Sequence, residues 1–234
     1  NNYLASLRAL WVILIDREYV NENPWTRIKP SRKEEKLRRI FTADERRAVA
    51  EYADKNDYWM FRGILLQFYC YIRPTELIRL KFKDFDLGKG LVTVQEGNAK
   101  MWRRVVKTIP QSVLHYFRDG RFDKYPGNFF VFGRVGDERR GHMEPSTVPI
   151  DDERPYKRHA KALMKLKAQG ILTDITGLTW YSWKDTGITL HARNTSPLAT
   201  RDQAGHTDFS MTLTYYHNEE TNSEYRNLSN DLIE

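Results

Sequence analysis

A mainly α-helical domain carrying a small antiparallel β-sheet, an α+β fold, is what the pattern of this chain predicts. Three observations predict it. Apolar residues recur at helical offsets in several long segments, beginning with residues 3–23. Two short β-branched runs, 91–94 and 105–109, lie near the first third of the chain with Gly97, Asn98 and Lys100 between them. After Pro110 the pattern turns mainly helical again, with no internal repeat or low-complexity tract.

Taken in order, residues 3–23 place Leu4, Leu7, Leu10, Trp11, Leu14 and Ile15 on one helical face. One helix cannot bury that stripe alone, so residues 1–28 are expected to close a truncated upstream domain. Pro24 and Pro30 break helical structure, and residues 29–39 carry both charges with almost no apolar content, which predicts a linker. The main domain, tail included, is expected over 40–234. Thr42 followed by Glu45 forms a capping-box signature at a helix start. Residues 58–72 are apolar nearly all round, as in a buried helix. Pro74 disfavours helical geometry at Arg73 and suits the first turn of a new helix over 74–80. Arg73 is therefore expected at a sharp junction between two helices. Beyond the paired strands, helices are expected over 112–118 and 153–168, the latter with Tyr156, Ala160, Leu163 and Met164 on one face. Residues 129–132 suggest a short further strand.

Composition narrows the function. The 234 residues are 40% hydrophobic, enough for a core, and 29% charged. A formal charge of +7 and a pI near 9.4 favour nucleic acid as partner, because neutralising phosphates releases condensed counterions. Cys70 is the single cysteine, so an internal disulfide and a thiolate metal cluster are excluded. It sits in an apolar run and reads as a small buried hydrophobe. No apolar stretch is long enough to span a bilayer, and no signal-peptide pattern opens the chain, so a cytoplasmic protein is expected.

Four separated segments carry the chemistry. The first is Arg73-Pro74-Thr75-Glu76-Leu77, where an Arg at a helix junction can present its planar fork to a phosphate and Glu76 can orient it. The second is Lys100, placed between the strands where its ammonium can reach into a site and deliver a proton, with Lys107 as a rival. The third is Tyr181-Ser182-Trp183-Lys184, leading into a helix. The fourth is Gly205-His206, with Tyr215, Tyr216 and His217 following.

In this order and at these distances the four segments resemble the tyrosine recombinase (phage integrase) family over about residues 41–217. Arg73 to Leu77 resembles its Arg-x-x-Glu-Leu signature. Gly205-His206 followed by Tyr215 and His217 resembles its Leu-Gly-His…Tyr-x-His box, with Ala204 in place of the usual Leu. Tyr181 and Lys184 stand where most members have His and Arg, a variation similar to that of integrases of Bacteroidetes mobile elements. His191-Ala192-Arg193 is one residue short of the His-x-Leu-Arg spacing and is read as a decoy.

The resemblance implies a tyrosine recombinase catalytic domain that cuts and rejoins DNA without metal or cofactor. Tyr215 would attack a phosphodiester to form a 3′-phosphotyrosyl bond. Arg73 and Lys184 would stabilise the phosphoryl oxygens, Tyr181 and His206 would add hydrogen bonds, and Lys100 would protonate the departing 5′-oxygen. Glu76 and His217 would support. Double-stranded DNA is the implied partner, bound by a homo-tetramer, with a monomer in its absence and a tail that docks on a neighbouring copy or packs locally. The alternatives are a catalytically weakened DNA-binding homologue and a type IB topoisomerase-like enzyme.

Overall fold

The structure, a computed structural model, describes residues 2–31, 39–97, 104–136, 142–192, 195–206 and 208–213. The chain divides into two compact units, Asn1–Leu37 and Arg38–Glu234. In the first, helix α1 (Asn2–Asp16) is followed by a 3₁₀ turn, Pro24–Arg27. Asn23 caps that turn through its side chain, which accepts from Trp25 N at 3.1 Å. Arg8 ties the turn to α1 by donating to the carbonyls of Trp25, at 3.0 Å, and Ile28, at 2.5 Å.

The second unit begins on α2 (Ala43–Asn56), whose capping box closes both ways. Thr42 Oγ1 accepts from Glu45 N at 3.3 Å, and Glu45 Oε2 accepts from Thr42 N at 2.9 Å. Asp57 caps α3 (Tyr58–Cys70) by accepting from Met60 N at 3.1 Å. This helix is buried along most of its length, as its all-round apolar character requires. It stops at Cys70 rather than Ile72, because Tyr71 turns left-handed at φ 53°. Arg73 is extended, and Pro74 starts α4 (Pro74–Leu77), shorter than the expected 74–80. Beyond Leu77 the bonds tighten to Arg79 N to the Glu76 carbonyl at 3.1 Å and Leu80 N to the Leu77 carbonyl at 3.2 Å, and the Leu80 carbonyl then accepts from Val131 N at 2.9 Å.

Three strands follow, β1 (Phe85–Asp86), β2 (Leu91–Val94) and β3 (Val105–Thr108), antiparallel in that order. The register sets Val92 against Lys107, so Lys107 lies on the buried face of the sheet. After Pro110 comes α5 (Gln111–Leu114), and a 3₁₀ turn (His115–Phe117) replaces the rest of the expected helix. Residues 129–132 form no strand. Phe130 makes isolated bridges to Lys81 and Ser146, and the second sheet pairs β4 (Arg134–Val135) with β5 (His142–Met143).

Helix α6 (Glu153–Ala168) spans the expected residues but turns a different face inward. Pro155, His159, Ala162, Leu163 and Leu166 are buried, whereas Met164 is 64% exposed. The inward face includes an imidazole, which apolar periodicity does not count. Helices α7 (Ser182–Ala192), α8 (Pro197–Ala204) and α9 (Phe209–Leu213) follow among the described residues.

The packing centres on α3 and α7. Trp183 stacks on Phe41 with ring centroids 4.2 Å apart and donates its indole N–H to His159 Nε2 at 3.1 Å. Burial holds His159 down to about 3, so it packs as a neutral acceptor. Gly187 lets α7 lie against α3, since a Cβ there would stand 2.0 Å from the Phe68 carbonyl oxygen. Cys70 is buried, with its thiol near the Thr108 carbonyl at 3.5 Å and pushed up to about 12 by burial. Among the described residues no helix is long and apolar enough to cross a membrane.

Candidate active site

The junction between α3 and α4 fixes Arg73. Its backbone N–H donates to Glu76 Oε2 at 3.0 Å, and its guanidinium donates to Oε1 of the same carboxylate at 2.8 Å. Glu76 thus caps the helix and aims the guanidinium at once. Its side chain is 2% exposed and that of Arg73 12%. A buried pair of this kind holds geometry more than it adds stability. Burial alone would lower the Arg73 affinity for its proton, but Glu76 and the hydroxyl of Tyr181 outweigh it and raise it.

Tyr181 immediately precedes α7, and Lys184 lies in the first turn. Lys184 is 1% exposed, with its ammonium 5.8 Å from the centre of the Tyr181 ring. Burial, then the charges of Arg73 and Lys107, lower it to about 7 against the opposing pull of Asp185 and Glu76. A buried lysine among cations holds its proton weakly.

His206 reaches the same region from α8. Gly205 adopts φ 67°, the left-handed conformation that ends a helix, and His206 N then donates back to the Arg201 carbonyl at 3.1 Å. His206 Nδ1 lies 3.0 Å from Thr212 Oγ1. Burial, followed by Lys184, Arg73 and Lys107, lowers the imidazole to about 4, which keeps it neutral at pH 7. When Thr212 donates to Nδ1, the ring proton sits on Nε2, and the imidazole can donate from there.

Lys107 joins this group from β3. It is 2% exposed and donates to the Gln203 carbonyl at 2.6 Å. Burial and Arg73 lower it to about 8, against Glu76 and Cys70. In the sequence Lys107 is only a rival to Lys100. The signal that finds it is alternation: on β3 it occupies an inward position, opposite Val92. Gln203 carried no such signal.

Arg73, Glu76, Lys107, Tyr181, Lys184 and His206 are therefore brought together from four stretches of chain separated in sequence. The cations sense one another, as their mutual effects on protonation require. Three basic side chains around one carboxylate, with a neutral imidazole and a phenol, form a binding site suited to an oxyanion. Lys100, Tyr215, Tyr216 and His217 lie outside the described residues. His191 accepts or donates at 3.0 Å with the Tyr71 hydroxyl and stacks on Tyr69, which makes it part of the packing. Among the described residues no three His, Cys, Asp or Glu side chains group as for a metal ion.

No family model matches the chain. No curated protein matches it either. Solved structures match it in fold. The Tn1549 transposon integrase in complex with a circular intermediate DNA is 17% identical, with a TM-score of 0.67 over 97% of this chain and 76% of that one. A lambda integrase dimer bound to a core site is 15% identical, with a TM-score of 0.64 over 99% of this chain and 61% of that one. XerA recombinase is 18% identical, with a TM-score of 0.58 over 92% of this chain and 69% of that one.

Proposed function

We propose, from a fold that is that of the tyrosine recombinase catalytic domain, that this chain cuts and rejoins duplex DNA through a 3′-phosphotyrosyl intermediate. One observation carries the reading: the Arg73, Lys184 and His206 segments, distant in sequence, converge on one buried cationic site. The matched structures include integrases bound to DNA, among them a lambda integrase tetramer on a Holliday junction. The proposed partner is accordingly duplex DNA, engaged by a tetramer.

In this mechanism the Tyr215 oxygen attacks the scissile phosphorus as the phenol releases its proton to solvent, and the bond to the 5′-oxygen breaks. One phosphoester replaces another, so no external energy source is needed. A phenol titrates near 10 and is a weak nucleophile at neutral pH, so the site must stabilise charge on the phosphoryl oxygens. Arg73 does so with a planar fork held by Glu76, and Lys184 as a point charge. Tyr181 and His206 donate hydrogen bonds to the same oxygens. Lys100 gives its proton to the departing 5′-oxygen, and His217 supports the nucleophile. A 5′-hydroxyl of a partner strand then attacks the phosphotyrosine. Residues 1–28 are proposed as the closing helix of a preceding domain and 29–39 as its linker.

The test is covalent capture on a nicked duplex whose site the protein has selected from a randomised pool. Tyr215→Phe is expected to abolish capture with binding nearly intact, and Tyr216→Phe to preserve it. The reverse pattern would move the nucleophile to Tyr216. Capture absent from the unmodified chain would leave the DNA-binding homologue, a reading favoured by the weakly held proton of Lys184.

A further inference from the structure

We infer that Lys107 and Gln203 are positioning residues, a clasp that fastens the His206 turn to strand β3 and so sets the place of the imidazole against Arg73. Two contacts carry this. The Lys107 ammonium donates to the Gln203 carbonyl at 2.6 Å, one of the carbonyls that the end of α8 leaves without a helical partner. The Gln203 side chain completes the clasp from the other direction. Its Oε1 accepts from Thr108 N at 3.0 Å, and its Nε2 donates to Thr108 O at 2.7 Å.

The primary amide of Gln203 therefore pairs with Thr108 as a neighbouring peptide would in a sheet. A third bond, from Nε2 to the Tyr69 carbonyl at 3.3 Å, extends the tie to the end of α3, four residues before Arg73. Gly205 lies directly over the strand: a Cβ there would sit 3.5 Å from Val105 Cγ1 and 3.8 Å from the Lys107 ammonium. One glutamine thus links the strand, the end of the helix that leads to Arg73 and the turn that holds His206. A buried lysine at the C-terminal end of α8 also suits the negative end of the helix dipole. Nothing in this geometry requires Lys107 to touch a substrate, so the assignment is positioning rather than proton transfer.

The clasp itself is a property of the folded chain; only its effect on rate rests on the proposed recombinase reading. The experiment uses the whole chain, unmodified and as Gln203→Met, Lys107→Met and Lys107→Arg. Titration of the ¹³C-labelled imidazoles by NMR, with His206→Asn to identify its signal, reads the placement directly. His206 is expected to titrate well below an ordinary histidine in the unmodified chain. It should move back toward the ordinary range in Gln203→Met, although that change removes no charge, and keep its low value in Lys107→Arg.

Single-turnover capture on the selected duplex should fall on the order of tenfold to a hundredfold in Gln203→Met and Lys107→Met with binding unchanged, as a small misplacement of a reacting group does. The double variant should lose little beyond either single one. A substrate with a 5′-bridging sulfur, which leaves without a proton, should not restore Lys107→Met. Restoration by sulfur would make Lys107 a proton donor and overturn the inference, as would an unshifted His206 signal in Gln203→Met. Absence of capture by the unmodified chain would defeat the recombinase reading, while the imidazole titration still decides the clasp.

Discussion

Replacing Gly187 with alanine tests the packing that puts Lys184 beside Arg73. The added Cβ would stand 2.0 Å from the Phe68 carbonyl oxygen and 2.8 Å from its carbon. Carbon and oxygen meet comfortably at about 3.3 Å, so α7 and α3 must part by about 1.3 Å from the 2.0 Å they would otherwise reach. The obstruction is backbone, and trimming the Phe68 side chain relieves none of it. Overpacking a close helix contact costs about 1–3 kcal/mol. For a domain of this size that corresponds to a fall of roughly 2–12 °C in Tm. The displacement falls between the helix that carries Lys184 and the helix that leads into Arg73. Capture by whatever fraction folds should therefore drop on the order of a hundredfold, the usual effect of moving reacting groups by about 1 Å. Urea unfolding monitored by tryptophan fluorescence and capture at saturating DNA separate the two effects. Normal stability together with normal capture in Gly187→Ala would refute the reasoning. So would full rescue by Phe68→Ala, because the clash would then lie with the ring.

Three other outcomes follow from the same geometry. Glu76→Ala leaves the Arg73 guanidinium without its buried partner and should destabilise the chain by about 3–5 kcal/mol in urea, with capture lost in proportion to the disordered fork. His159 and His206 are held at about 3 and about 4, below the unfolded value near 6.5, so the unfolded chain binds more protons across that interval. Stability should accordingly decline as pH falls from about 6.5 toward 4; a flat urea midpoint over that range would contradict the burial of both rings. Lys184 and Lys107, lowered to about 7 and about 8, should gain protons when a phosphodiester enters. DNA binding near pH 8 should therefore show a calorimetric heat that depends on the ionisation heat of the buffer, and equal heats in two buffers would count against it.

The parts of the fold that were legible in the sequence are those set by local chemistry. Thr42 and Glu45 announce a helix start because each satisfies the other's backbone donor, and the structure contains both bonds. Arg73 reads as a junction because Pro74 restricts the residue before it. The less legible parts depend on long-range partners. Residues 129–132 have strand-forming side chains, yet Phe130 finds only single bridges, to Lys81 and Ser146, and no continuous edge. Strand β1 is two residues long, too short for any periodicity. On α6 the counted apolar residues included Met164, which faces solvent, and omitted His159, which a tryptophan N–H keeps in the core. In the site, the charge of Lys107 disguised an inward strand position, and Gln203 acts through its likeness to a peptide group. That likeness has no sequence signature.

The electrostatics of Lys184 support the proposal that the cluster is a site and not a by-product of packing. Stability favours anions in the first turn of a helix, where unsatisfied N–H groups carry partial positive charge. Lys184 lies in that turn of α7, almost wholly buried, with two further cations acting on it. Each of these features opposes its charge; Asp185 and Glu76 pull the other way, and the buried Glu76 is already engaged by the Arg73 backbone and guanidinium. Packing alone would be served as well by a methionine of similar length. The aromatic core behind the site, with Trp183 between Phe41 and His159, can carry the strain because it contributes stability independent of charge. An arrangement that repels itself in isolation and would lower its energy on meeting an oxyanion is what the proposed reaction asks of it, most of all when the phosphodiester gains charge in a transition state.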